Sequence, residues 1–558
     1  MKPRTFDSVS RFACSVLLIA LGAFLQTPYL LAQSVSPGQV RPIFGQYRIA
    51  GVVVNAITGE PVRRAAVAVL DEADSHTIGS VLSDGEGRFA LQHLPAGKFQ
   101  LTASKRGFRT SFYDEHDDFN TAIVTGADQE TSNLTFRLVP AAVLYGVVST
   151  DDGDAVEGAR VMLFKSPNHR APGERITQVD AAVTDDAGAY EFGDLEPGEY
   201  FLAVVAEPWY AIHGVERESG SKQMHASNPA LDVAYPVTYF DSTTDESAAT
   251  PIVVTGGSRE EENISLHAVP ALHLSIAAPR KQDGSIARAE LQQTVFGTEV
   301  SSESAGFLES MQTGSIEMTG VAPGQYQLKQ GDPPRIVDLD LSASERVNPD
   351  AGTPASAVVG TLRMASGTQV PDEVNLTLDR IGDGRGLDQL VTVAHNGRFK
   401  FDTVTPGSWK LWAQNDGKML PVAAAGSGGK VHSGNILTMR DRTLDIAVIL
   451  DQGETRIEGF VRKDDKGLAG AMVLLAPKDP ANWEAMARRD QSDSDGSFAL
   501  RDVAPGRYTL IAIEDGWKLD WTRPEVMARY LEAGALVTVK ENSGPLIRLS
   551  SPVTVQSR

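Results

Sequence analysis

One short stretch recurs five times along the chain and constrains everything else. Its clearest copy is Asp84-Gly85-Glu86-Gly87-Arg88-Phe89-Ala90-Leu91-Gln92-His93-Leu94-Pro95-Ala96-Gly97-Lys98-Phe99. It returns as Asp186-Ala187-Gly188-Ala189-Tyr190…Leu195-Glu196-Pro197-Gly198-Glu199-Tyr200, then as Gly314-Ser315-Ile316…Val321-Ala322-Pro323-Gly324-Gln325-Tyr326. The last two copies are Asn396-Gly397-Arg398-Phe399…Val404-Thr405-Pro406-Gly407-Ser408-Trp409 and Asp495-Gly496-Ser497-Phe498…Val503-Ala504-Pro505-Gly506-Arg507-Tyr508. In every copy a second Gly follows the first after ten residues, with a bulky residue at the second position after the first Gly, Leu or Val at the seventh and an aromatic at the twelfth. A fixed internal spacing of this kind marks a repeated structural unit.

The stretch reads as strand, turn, strand. Asp-x-x-Gly or Asn-Gly supplies the positive φ of a tight hairpin turn. Phe89-Ala90-Leu91 alternates as a half-buried strand does. Leu94 anchors its end, Pro95-Ala96-Gly97 makes the next turn, and Phe99, Leu101 and Ala103 begin a second strand. The expected fold class is therefore all-β, about five modules built from short strands with regular turn punctuation, with short helices in the last.

At 558 residues the chain exceeds one compact core. A formal charge of −21 argues against nucleic acid as a partner. Residues 1–32 read as a secretory signal: Lys2, Arg4 and Arg11 lead an apolar run from Phe12 to Leu25 that is short for a bilayer span, and Ala32 offers a small residue for cleavage. An uncleaved anchor is the alternative. The one cysteine, Cys14, lies in that run, so the mature chain would hold no disulfide. No later stretch is apolar enough for a membrane helix. The expected location is secreted, periplasmic or cell-surface associated.

In order, 33–46 reads as a linker, 47–140 as the first module, and 141–270 as the second with a long loop insertion. Residues 271–341 form a degenerate third module, 342–356 a flexible linker rich in Pro, Gly, Ala and Ser, 357–452 the fourth module, 453–550 the fifth and 551–558 a tail. Helices are expected around Trp483 to Arg489 and from Pro524 to Ala533, the latter opened by a Thr522/Glu525 capping box.

The residues Gly51…Gly59-Glu60-Pro61-Val62…Ala66-Val67…Asp84…Gly87-Arg88-Phe89…Leu94-Pro95-Ala96-Gly97-Lys98-Phe99 resemble the carboxypeptidase regulatory-like domain. The resemblance implies a transthyretin-like, Greek-key β-sandwich of about seven strands, related to the carbohydrate-binding-like and collagen-adhesin B-type folds, and hence a tandem array of about five such β-sandwich modules. It is close in the first, second and fifth modules, fair in the fourth, and in the third rests on the hairpin. It speaks for a fold rather than a chemistry, because its glycines and aromatics serve turns and core. Nothing in the chain resembles a metallocarboxypeptidase catalytic domain.

Asp84-Gly85-Glu86-Gly87 and Asp493-Ser494-Asp495-Gly496 look like fragments of calcium loops but lack the further oxygen ligands, so they read as hairpin turns. No His-Glu-x-x-His spacing and no Gly-x-Ser-x-Gly elbow occurs, so no metal, cofactor or catalytic residue is expected. His116-Asp117-Asp118 reads as a solvated charge run, and Lys105, Lys165 and Lys463 as surface residues. An enzyme site in the second module's loop has only scattered Glu216, Glu218, His213 and His225 to draw on. The aromatic excursions are the stronger candidate. Phe108, Trp209 and Trp517 each lie eleven residues after their module's second Gly, so their loops leave equivalent corners. Phe108, Trp209, Tyr210, Tyr239, Trp517 and Trp521 are the candidate ligand-binding residues, for a glycan or an envelope protein, because aromatic faces give contact area at low entropy cost. The competing reading has them plugging the sandwich or packing between modules. The resulting expectation is an exported, non-catalytic scaffold or binding protein.

Overall fold

The computed structural model describes residues 45–558, apart from 168–175, 214–227, 278–288, 302–305, 311–314, 382–388 and several single or paired positions. The leader, its cleavage site and most of the 33–46 stretch lie outside the described residues, as do Glu216, Glu218 and His225.

In the first module the strand Tyr47–Asn55 lies between Arg88–Leu94, antiparallel, and Leu134–Leu138, parallel. A second sheet runs Thr77–Leu82, Ala66–Asp71, Gly97–Ser104, with Ser111–Phe112 and Ile123–Thr125 at its edge. Period-two alternation sends Val67, Val69, Phe99, Leu101 and Ala103 inward against Ile49, Val53, Phe89, Leu91 and Phe136. Each large side chain fully buried this way contributes about 1.5–3 kcal/mol.

The opening strands Ala142–Thr150, Leu272–Ala277, Ser356–Met364 and Thr455–Lys463 repeat the arrangement, each flanked by an antiparallel hairpin strand and a parallel closing strand. Among the described residues five sandwich cores result, drawn from within 49–138, 142–266, 272–347, 358–450 and 457–553. The fold is an all-β array of sandwich modules. The third module, degenerate in sequence, keeps the same strand order.

The two glycines of the repeat do different jobs. The first sits at positive φ, 73° at Gly87 and Gly188, 75° at Gly397 and 82° at Gly496. A Cβ there would lie 2.4–2.5 Å from a carbonyl oxygen of the opening strand, and Asp84 Oδ1 accepts from the N–H groups of Glu86 and Arg88 to hold the turn. The second glycine, expected at a turn, begins the next strand in all five copies; Gly97, Gly198 and Gly506 have no positive φ, whereas φ is 157° at Gly324 and 146° at Gly407. The aromatic two residues on lies over it: a Cβ at Gly506 would meet the Tyr508 ring at 3.1 Å. Where that aromatic has a polar handle, it donates to the carbonyl four residues back: Tyr200 to Glu196 at 2.9 Å, Tyr326 to Ala322 at 2.9 Å, Trp409 to Thr405 at 2.9 Å and Tyr508 to Ala504 at 2.6 Å.

Three further expectations need correction. The 342–356 segment is not a free linker: Glu345–Val347 is the parallel closing strand of the third module, and Thr353–Pro354 pairs with Pro334–Leu341. The 551–558 tail contains Val553–Ser557, which pairs in parallel with both Thr455–Lys463 and Gly506–Glu514. The helices are Trp483–Met486 and Pro524–Leu531. The second is capped by Arg523 without a side-chain bond, because Thr522 donates instead to Asp520 and Glu525 pairs with Arg523.

The central strands differ between modules on their outer faces. In the first module Ala68, Gln100 and Thr102 face outward. In the second, Met162, Phe164 and Ala203 are apolar and are covered by Val295, Phe296 and Val300 of the third module's Ala289–Val295/Thr298–Ser301 hairpin. In the fifth, Met472, Leu474, Ala476, Ile511 and Ile513 are covered by Trp483, Trp521, Met527 and Tyr530 from the module's own helices and loop.

Candidate functional site

The three equivalent excursions end in three different environments. Phe108 is half-buried against the first core, with the Lys105 amine 5.7 Å from its ring centre, and its backbone bridges to Pro140 at the junction with the second module. Arg109 beside it reaches across that junction, pairing with Glu196 at 2.8 Å. Lys165 also pairs with Glu196 and is mostly buried, so it is a junction residue rather than a surface one. Lys463 is bonded to Glu514.

Trp517 lies in the short turn Gly516–Lys518 and donates from Nε1 to Gly470 O at 2.9 Å. Its ring stacks on His116 of the first module, centroids 5.3 Å apart and planes 11° from parallel, and meets Phe119 at 5.6 Å. Between these rings runs the Arg489 guanidinium, 4.1 Å from Trp521, 5.2 Å from Phe119 and 5.3 Å from Trp517. It pairs with Asp117 at 2.9 Å, and its side chain is 4% exposed. His116-Asp117 is therefore not a solvated charge run. It is a contact between two modules more than 370 positions apart in sequence.

The rest of this seam is polar and well bonded. Gln491 Nε2 donates to Asp114 O at 2.5 Å and to Thr121 Oγ1 at 2.7 Å. Ala122 N donates to Asp493 Oδ1 at 3.1 Å, Val124 N to Ser494 Oγ at 2.8 Å, and Ser494 N to Ala122 O at 3.0 Å. Lys98 pairs with Asp493 at 2.5 Å and Arg501 with Glu72 at 3.1 Å. Burial by itself lowers the Lys98 pKa, but the adjoining Asp493 carboxylate outweighs it and holds the amine above its ordinary value. Asp490, one strand position from Gln491, is pushed up to about 7, first by burial and then by Asp493, against a stabilising bond from Ala499 N.

In the second module the excursion divides. Tyr239 is buried, edge-on to Phe296 of the third module at 5.4 Å, and its hydroxyl donates to Glu246 at 3.1 Å. Burial, then the Glu246 charge, pushes its phenol well above the usual range. Trp521 in the fifth module is likewise buried. Tyr239 and Trp521 thus correct the expectation of accessible rings, because both cover apolar sheet faces. Trp517 and Phe108 are half-buried in module contacts. Trp209 alone of the three equivalent aromatics stands in solvent, 92% exposed, with half-buried Tyr210 edge-on at 5.8 Å and Ile212 exposed nearby.

His213 does not assemble an acid, base and nucleophile. Its Nδ1 lies 2.8 Å from Asp232, whose other oxygen is 2.6 Å from His273 Nε2, and this His-Asp-His bridge ties the second module to the third. Burial opposes charge on Asp232, but the two histidines outweigh it and lower the carboxyl pKa. Among the described residues no group of three or more His, Cys, Asp or Glu side chains is placed to hold a metal. No described helix is long and apolar enough to cross a membrane.

The chain is similar to known proteins over different parts of its length. Colossin-A of Dictyostelium discoideum is 19% identical over 507 residues, which covers 81% of this chain, and the chain spans 4% of that protein's length. A molybdenum cofactor guanylyltransferase of Cereibacter sphaeroides is 29% identical over 166 residues, covering 29% of this chain and 73% of that protein. Among solved structures, the Bacillus anthracis TIE protein aligns with 69% of this chain and 68% of its own at 11% identity and a TM-score of 0.16. The carboxypeptidase regulatory-like domain pattern matches residues 48–139. Residues 48–139 are thus similar to the carboxypeptidase regulatory-like domain, and the opening, hairpin and parallel closing strands of that module recur in the four after it.

Proposed function

We propose that the chain is an exported, non-catalytic scaffold of the cell envelope, whose first and fifth modules are locked by side chains that read in the sequence as a solvated charge run, His116-Asp117, and a hairpin turn at Asp493. The observation that carries this reading is the seam between the first and fifth modules. His116, Asp117, Lys98, Asp493 and Arg489 are all engaged there in module-to-module bonds. Trp209 is the remaining accessible platform, and a glycan or envelope protein would stack on it. The N-terminal pattern of basic leader and apolar run supports export.

The test pairs location with binding. Cell fractionation of the full chain should place it outside the cytoplasm, and a peptidoglycan and glycan screen of that material should give signals that Trp209→Ala removes and Trp517→Ala retains. Retention in the cytoplasm would overturn the export reading. Binding that survives Trp209→Ala would overturn the platform.

A further inference from the structure

The first module carries a cleft of about 550 Å³ lined by Arg63, Arg64, Ala66, Ser104, Lys105 and Arg106. Two turns form it. One leads into Ala66–Asp71 and the other leaves Gly97–Ser104; they are neighbours because Ala66 pairs with Ser104. Both are fixed by backbone bonds, Arg64 N to Ser83 O at 2.9 Å and Phe108 N to Lys105 O at 2.9 Å. Lys105 donates to Arg63 O at 2.9 Å. Arg63, Arg64 and Arg106 are exposed, and none has an ion pair or side-chain hydrogen bond among the described residues. Four cations in one cleft, without a carboxylate among them, stand out on a chain of net charge −21.

The repeat supplies an internal control. Val62-Arg63-Arg64-Ala65 aligns with Val156-Glu157-Gly158-Ala159 and with Leu468-Ala469-Gly470-Ala471. Lys105-Arg106-Gly107 aligns with Ala206-Glu207-Pro208 and Glu514-Asp515-Gly516, counted from the shared aromatic. The same corner is thus acidic in the second and fifth modules and basic only in the first of these three. Its backbone also favours glycine: φ is 75° at Gly158 and at Gly470, and 55° at Arg64. An arginine in that left-handed conformation is strained where a glycine is not, so the first module carries its charge where the turn is better served by none.

We propose that this cleft binds a phosphoryl group. Guanidinium forks match its oxygens, and a group with two or more negative charges suits four cations where a single carboxylate leaves most of the field unmatched. The group can belong to a soluble phospho-compound or to a lipid headgroup. Titration calorimetry of the full chain with pyrophosphate, at fixed ionic strength set with chloride, tests the first source. Co-sedimentation with phosphatidylcholine vesicles with and without phosphatidic acid tests the second. Binding in either arm supports the site and identifies the source; binding in neither overturns it. The paired variant is Arg64→Gly with Arg106→Gln. Arg64→Gly installs the residue of the sister modules and relieves the backbone, so thermal melting should be unchanged or raised. Affinity should fall by about tenfold or more for each charged contact removed. Equal affinity in wild type and variant would overturn the assignment.

Discussion

Trp517 and Trp209 occupy the same position in their modules and meet opposite fates. Trp517 is stacked on another module's histidine and bonded to Gly470, while Trp209 stands in solvent. The difference lies in how each module covers the outer face of its central strands. In the fifth module Met472, Leu474 and Ile511 have no neighbouring hairpin over them, so the excursion folds back as Trp521 and the helix Pro524–Leu531 and draws Trp517 inward. In the second module the task is shared: Val237 and Tyr239 of the excursion lie on Met162 and Phe164 together with the third module's Phe296, and the stretch at Trp209 is left in solvent. Equivalent sequence position sets where a loop departs. The apolar surface left uncovered sets where it goes.

The largest effect that would break this comparison is at the seam. Asp117→Ala removes one charge-assisted hydrogen bond from the buried Arg489 guanidinium, and should destabilise the chain by about 3 kcal/mol, the upper end for a hydrogen bond to a charged group. Denaturant unfolding measures it. A loss below about 0.5 kcal/mol would mean the pair behaves as a surface one and does not help hold the first and fifth modules together.

Next comes Trp517→Ala. It removes a half-buried ring that contacts His116, Phe119 and Arg489, so about 2 kcal/mol is expected, less than the roughly 3–5 of a fully buried aromatic. Limited proteolysis should then open the stretch 113–119 before any strand of the first module. Unchanged stability and protection would remove Trp517 from the seam.

A pH series sharpens the same point. Asp490 keeps its proton in the folded chain up to about pH 7, whereas an unfolded Asp loses it near 3.8. As pH rises from about 4 to 7 the unfolded state therefore gives up this proton first, and the group's contribution makes folding progressively less favourable, with the loss complete above about 7. Melting curves of wild type and Asp490→Asn across pH 4–8 should diverge in that window, the variant gaining relative stability toward the alkaline end. Parallel curves would place Asp490 in contact with water.

How much of this was legible in the sequence follows from range. The hairpin turns were, because Asp84 and Gly87 settle their geometry within four residues. The second glycine's place at a strand start is not legible from spacing, because its constraint varies between copies, from the Tyr508 ring over Gly506 to a positive φ at Gly407. The seam was invisible, since Arg489 and Asp117 are 372 positions apart. A signal for covered outer faces was present. Val161-Met162-Leu163-Phe164 and Met472-Val473-Leu474-Leu475-Ala476 are continuous apolar runs, where Val67-Ala68-Val69 alternates large and small, and a strand buried on both faces reads as a run. That pattern points to covered sheets in the second and fifth modules without saying what covers them.

The smallest expected effect on stability belongs to the other tryptophan. Trp209→Ala removes a ring whose described ring contact is Tyr210 at 5.8 Å and which is almost wholly hydrated, so folding stability should change by less than about 0.5 kcal/mol. Fluorescence quenching by iodide supplies the companion measurement: loss of Trp209 should remove a large share of the accessible emission, whereas loss of Trp517 should remove little. If Trp209→Ala destabilised the chain as much as Trp517→Ala, the two tryptophans would be structurally equivalent, and the sharing of the second module's apolar face with its neighbour's hairpin would no longer account for the difference between them.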